Sequence, residues 1–183
     1  MKIERIRGKF YPTDLVTLDS GVKREVVYAT DAVAILLYNI EKKQIILVRQ
    51  LRVPILLRGE VLGGCVTEVV AGRLDKPEKS FKEIAIEEAF EEAGVTISEE
   101  DIEVLNFGVP PASSSGMTTE CCYLLYAEIK SGKLKHKKTY GLKNEGEQTT
   151  RICWPVEDLD KFPWYDMKTF ALIQWFLAHK LKQ

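Results

Sequence analysis

The chain has 183 residues, 45 % hydrophobic and 29 % charged, with a formal net charge of −1 at pH 7. That length supports one domain with its own core. The near-neutral balance excludes a global field that would recruit nucleic acid or an anionic membrane, so an anionic ligand would need a local basic patch.

In chain order, residues 1–57 read as strands. Residues 1–5 have no apolar run behind them and do not read as a secretory leader. Residues 22–28 and 32–38 are rich in β-branched and aromatic side chains, Glu41-Lys42-Lys43 is a polar turn, and 44–51 resumes the apolar run. Residues 55–64, with Gly59, Gly63 and Gly64, read as a loop. Residues 65–71 read as a short strand, and 72–80, with Gly72, Asp75 and Pro77, as another loop. A helix is predicted over 81–93, with Ser80 as N-cap, Glu83 as its capping-box partner and Gly94 as the stop. Further strands are expected near 103–108, 119–128 and 148–154. Between them lie a proline- and serine-rich loop, 110–116, and a loop over 130–146 that opens with lysines. An amphipathic helix over about 167–182 closes the chain. No repeat or linker divides it, and no apolar stretch reaches the roughly 20 residues that span a bilayer. The expectation is a single α+β domain over 1–183. Cys65, Cys121, Cys122 and Cys153 form no C-x-x-C pair and only two histidines exist, which argues against structural zinc. The cysteines read as small core residues in a reducing cytoplasm.

The helix over 81–93 carries Glu83, Glu87, Glu88, Glu91 and Glu92. At about 100° per residue, Glu88, Glu91 and Glu92 share an arc of roughly 100° bordering the apolar side of Phe81, Ala85, Ala89 and Ala93. Glu83/Glu87, Glu87/Glu91 and Glu88/Glu92 are like-charge i,i+4 pairs, each costing about 0.2–0.5 kcal/mol. None has a lysine or arginine four residues on. A divalent cation would remove the repulsion, and oxygen donors without imidazole or thiolate favour Mg²⁺ or Mn²⁺ over zinc. The alternative is a solvated acidic face.

The stretch GRLDKPEKSFKEIAIEEAFEEAGV, residues 72–95, resembles the Nudix box: Gly, five residues, Glu, seven residues, Arg-Glu-aliphatic-any-Glu-Glu-any-Gly-aliphatic. Gly72, Glu78, Glu88, Glu91, Glu92, Gly94 and Val95 match it. Eight residues rather than seven follow Glu78, and Glu87 stands where the family has arginine. Glu68-Val69-Val70-Ala71-Gly72 resembles the E-x-x-A-G of the ADP-ribose and nucleotide-sugar branch. Lys23-Arg24-Glu25-Val26, Arg49-Gln50-Leu51-Arg52, Gly116-Met117-Thr118-Thr119-Glu120 and Glu145-Gly146-Glu147 resemble further segments of that branch.

The resemblance implies a Nudix α/β/α sandwich, with a mixed sheet between the box helix and the C-terminal helix. It also implies an N-terminal strand subdomain, 1–30, at a homodimer interface. It implies Mg²⁺-dependent hydrolysis of a nucleoside diphosphate sugar (ADP-ribose, GDP-mannose or similar) to a nucleoside monophosphate and a sugar phosphate. By the same resemblance Glu88 and Glu92, with the carbonyl of Ala71, are metal ligands, Glu91 a shared one and Glu147 a further one. Glu145 is the general base, with Glu91 beside it among the catalytic carboxylates. Arg52, Arg24, Glu68 and Glu120 are substrate-binding, Arg24 from a partner subunit. The alternatives are a nucleoside triphosphate or capped-RNA hydrolase on the same fold, and a nucleotide sensor that does not cut. Cys121 and Cys122 read as alternating strand residues, His136, His179 and Arg49 as surface residues, the lysines of 130–138 as a solvated run, and Trp154, Trp164 and Trp175 as packing residues.

Overall fold

The computed structural model describes residues 2–6, 11–59, 62–135, 139–141 and 148–181. Strands β1 (Lys2–Ile6), β2 (Thr13–Thr17) and β3 (Lys23–Val27) form a separate antiparallel sheet. The second sheet has seven strands: β4 (Ala32–Asn39), β5 (Gln44–Leu51), β6 (Cys65–Glu68), β7 (Val70–Arg73), β8 (Ile102–Val104), β9 (Cys122–Ile129) and β10 (Thr150–Pro155). Its order is β10-β5-β4-β9-β8, and among the described strands β4 and β9 run parallel, from Ala32↔Cys122 to Asn39↔Ile129.

The sheet contains a fork. β4 and β5 pair only from Leu37↔Ile46 to Asn39↔Gln44, and then separate. β7 takes the vacated edge of β4, from Ala32↔Arg73 to Ile35↔Val70, and β6 that of β5, from Val48↔Glu68 to Leu51↔Cys65. Val69 is the residue that steps from one side to the other.

Strands buried on both faces need unbroken apolar runs, and β4 and β5 supply them. Val33, Ile35, Leu37, Ile46 and Val48 point to α2 (Phe81–Ala93) and pack on Ile84, Ala85, Ala89 and Ala93. Ala34, Leu36, Ile45 and Leu47 point the other way, to Leu172, Ile173 and Phe176 of α3 (Met167–His179). Each fully buried Leu, Ile or Phe contributes about 1.5–3 kcal/mol. The mixed sheet between two helices, with the small sheet apart, is the architecture expected from the sequence.

Several boundaries differ from expectation. Residues 55–64 are not all loop, nor 53–57 strand: α1 (Val53–Arg58) forms there, started by Pro54 in its first turn and stopped by Gly59 at φ 77°. The strand expected over 65–71 is two strands broken at Val69, and the second runs on to Arg73. The strand near 103–108 ends at Val104, because Asn106 and Phe107 turn into left-handed backbone at φ 52° and 55°. The strand near 119–128 starts later, at Cys122. Of the cysteines only Cys122 is buried, where burial pushes its thiol up to about 12, while Cys153 is exposed. His179 is exposed, stacked on Trp175, and Trp154 and Trp164 pack around Phe162. His136 lies outside the described residues. Among the described residues no helix is long and apolar enough to cross a membrane.

Candidate active site

Helix α2 is built as its sequence dictates. The Ser80 hydroxyl accepts from the Glu83 N–H, and the Glu83 carboxylate accepts from the Ser80 N–H, a reciprocal cap. Gly94 ends it at φ 64°, where the Tyr140 ring leaves no room for a Cβ. A helix leaves its last carbonyls without internal partners. Here three are taken by the chain around 139–151: Gly141 N–H donates to Glu91, the Thr149 hydroxyl to Glu92 at 2.7 Å and Arg151 Nη1 to Ala93 at 2.9 Å.

Between α2 and the fork lies a cleft of about 350 Å³. One wall is Glu88, Glu91 and Glu92 of α2 with Ala71 and Gly72 of β7. The cleft is also lined by Arg52 after β5, Lys168 of α3, Glu120, Arg73, Asp75 and Lys76. Glu92 is 2 % exposed and turned into the protein. Its Oε2 accepts from the Ala71 N–H and its Oε1 from Gln50 Nε2, both at 3.2 Å. Glu88 lies directly over Gly72, so a Cβ there would meet its carboxylate arm. The glycine of the box is thus a close-approach position between strand and acidic helix. Glu120 accepts from the Ser113 hydroxyl at 2.6 Å.

Arg52 is held by Glu68: Nε donates to Oε1 at 2.7 Å. Burial opposes the Arg52 charge, but the attraction of Glu68, and then of Glu92 and Asp166, outweighs it and raises its pKa. Burial likewise pushes Glu68 above the usual carboxylate range, against the pull of Arg52. On the other side Lys168 pairs with Asp166 at 2.8 Å. Burial would lower its pKa, but Asp166 and Glu68 raise it. Asp166 caps α3 by accepting from the Thr169 N–H at 2.8 Å and the Thr169 hydroxyl at 2.7 Å, while the Thr169 oxygen accepts from the Val69 N–H at 2.9 Å. The step residue of the fork is thereby tied to the start of α3. Arg52, Glu68, Asp166 and Lys168 also line a second pocket of about 240 Å³ with Pro54, Ile55, Val66 and Tyr165.

Of the residues expected at a site, the cleft brings together Ala71, Glu88, Glu91, Glu92, Arg52 and Glu120. Glu68 lies in the adjoining pocket beneath Arg52. Arg24 is exposed on β3, donating to the Lys23 carbonyl, and lines neither pocket. Glu145 and Glu147 lie outside the described residues. Lys168 and Lys76 were missed; a lone lysine in an amphipathic helix or a loop carries no signal of its own. The donors along α2 are all oxygen, which suits a hard cation. Among the described residues no three acidic, imidazole or thiol side chains form a ready-made ion site.

No protein-family model matches the chain. It is 27 % identical over 158 residues to the uridine diphosphate glucose pyrophosphatase NUDT14 of Bos taurus, covering 72 % of this chain and 68 % of that protein. It is 38 % identical over 121 residues to the GDP-mannose pyrophosphatase of Cronobacter sakazakii, covering 63 % of this chain and 58 % of that protein, less than two thirds of its length. A crystal structure described as an ADP compounds hydrolase superposes with a TM-score of 0.69 at 18 % identity, over 98 % of this chain and 94 % of that one, a likeness of fold. With the box residues assembled on α2 and β7, the chain is similar in sequence to pyrophosphatases of UDP-glucose and GDP-mannose and shares the fold of an ADP compounds hydrolase.

Proposed function

We propose that this protein hydrolyses the diphosphate link of a nucleoside diphosphate sugar, giving a nucleoside monophosphate and a sugar phosphate. The observation that carries the reading is one cleft lined both by the carboxylates Glu88, Glu91 and Glu92 and by the cations Arg52 and Lys168. A diphosphate with its counter-cation needs both signs of charge within one small volume.

Glu88 and Glu92, with the Ala71 carbonyl and with Glu91 shared, would hold Mg²⁺, and Glu147 is a further ligand. When bound, that ion supplies positive charge for the diphosphate oxygens and acidifies water at the site. The Arg52 guanidinium, presented by Glu68, binds a phosphate oxygen pair in fork geometry, and Lys168 adds a point charge beside it. Glu145 accepts the proton of the attacking water, whose oxygen bonds to one phosphorus as the bridging P–O bond breaks. The bridging oxygen leaves with the other phosphate. Glu120 belongs with the substrate-binding groups, and Arg24 acts from a partner subunit in a homodimer joined through the strands of 1–30. The 183 residues work as one catalytic unit.

The test is product analysis of purified protein with Mg²⁺ against ADP-ribose, GDP-mannose, ADP-glucose, UDP-glucose and dGTP. Monophosphate release from one or more sugar nucleotides, abolished by EDTA, is expected. Turnover of dGTP alone would favour a triphosphate hydrolase. Tight binding of sugar nucleotides with no product would make the chain a sensor, the outcome that Glu87 in place of the box arginine keeps in play.

A further inference from the structure

The repulsion expected along α2 is answered from outside the helix. Both oxygens of Glu87 are occupied by lysines of the preceding loop: Oε2 accepts from Lys76 Nζ at 2.9 Å, and Oε1 accepts from Lys79 Nζ. The loop in question joins β7, which carries Ala71 and Gly72, to α2, which carries Glu88 and Glu91. Its two lysines meet the acid that stands where the box has arginine. Where the box sets a base on the helix, this chain sets bases on the loop and the acid on the helix.

The arrangement fixes a cation. Lys76 lines the cleft beside Glu88 and Glu91, and its side chain stays 41 % exposed while tethered to Glu87. Glu87 is not a cleft residue, and the more covered Lys79, 29 % exposed, does not line the cleft either. A free lysine on a loop samples many rotamers, and holding it in one is costly in entropy. A carboxylate that fixes its direction lowers the ordering cost a ligand must still meet.

We propose that Lys76 is a diphosphate-binding residue and that Glu87, with Lys79, is its positioning residue, a reversed-polarity clamp that holds the ammonium at the cleft. The inference rests on the reading of the cleft as a nucleoside diphosphate site, and not on hydrolysis there. Glu87 acts on the ligand only through Lys76, so the two must not behave independently.

The experiment is a double-mutant cycle read by calorimetric binding of ADP in Mg²⁺ buffer, with a thermal melt of each variant. Lys76→Met is expected to weaken ADP binding about tenfold, the loss of one charge-assisted phosphate contact. Glu87→Gln is expected to weaken it less, about threefold, and Lys76→Met/Glu87→Gln to match Lys76→Met alone. Glu87→Asp, which keeps the charge, is expected to recover most of the loss. Additive effects in the double variant, unchanged ADP binding in Lys76→Met, or no ADP binding by the unaltered protein would overturn the proposal. If the cycle behaves as expected while no sugar nucleotide is hydrolysed, the clamp stands and the proposed hydrolysis falls. Turnover with an additive cycle means the reverse. Melts within a few degrees of one another keep a folding defect from imitating either result.

Discussion

Glu92→Gln separates what the acidic helix does for the fold from what it does for chemistry. Glu92 is buried, and both its oxygens accept, one from Ala71 N–H and one from Gln50 Nε2. Glutamine preserves shape and volume. Its oxygen can keep the Ala71 bond, and the Gln50 amide can turn over to present oxygen to the new NH₂. Two charge-assisted bonds become two neutral ones, a loss of about 1 kcal/mol each. Against that, the Glu88/Glu92 repulsion of about 0.2–0.5 kcal/mol disappears, and a buried charge no longer needs to be desolvated. The net expectation is a destabilisation of about 1 kcal/mol, or about 2–4 °C in Tm for a chain of this size. Turnover should fall on the order of 10²–10³-fold, the scale seen when a group that stabilises transition-state charge is removed. The assay is monophosphate release by chromatography at saturating Mg²⁺, paired with a thermal melt. Wild-type turnover would refute the ligand role of Glu92. A fall in Tm of more than about 10 °C would mean the carboxylate is chiefly structural and the hydrogen-bond accounting is wrong.

Three further outcomes follow from the geometry. Gly72→Ala should lower Tm, since a Cβ there meets the Glu88 side chain even though its φ suits alanine. Its kcat should also fall about tenfold as Glu88 is displaced, and an undiminished kcat would show that the position of Glu88 over Gly72 is not used. Thr149→Val should cost about 1–3 kcal/mol and lower kcat by leaving the Glu92 carbonyl without its donor, while Thr149→Ser restores both; equal behaviour of the two would deny the hydroxyl its role. For Asp166, burial raises its pKa, but Lys168 and Thr169 outweigh burial and hold it below the ordinary 3.8. A depressed folded value means that the stability it contributes is whole above pH 3.8 and drains away as pH falls through the lower value. Asp166→Asn, which still caps α3, should therefore melt below wild type at pH 7, with the gap closing as pH falls below 3.8. A gap that is constant with pH would contradict the assignment.

Local signals were legible wherever one short segment decides its own conformation. The Ser80–Glu83 box and Gly94 bound α2 at the residues expected, because capping is chemistry within a few positions. The unbroken apolar runs of β4 and β5 announced strands covered on both faces. The fork was not legible. Residues 65–71 are apolar throughout, and nothing local says that Val69 leaves one ladder for another; that depends on β4 and β5 having parted. Nor was the partner of Glu87, since an ion pair between a helix and a loop residue 8 or 11 positions earlier carries no helical spacing. The acidic wall was readable because the box places it on one helix face. The basic wall was only half readable: Arg52 sits in a motif, but Lys168 comes from the far end of the chain.

The opening between β4 and β5 bears on how such a protein can change over evolutionary time. The cleft borders the fork, and α1, which follows β5, contributes Pro54 and Ile55 to the pocket that adjoins it. Lengthening or rewriting that helix disturbs neither of the two apolar layers, whose members lie on other segments. Ligand preference can thus drift in that adjoining pocket while the acidic wall on α2 is inherited intact.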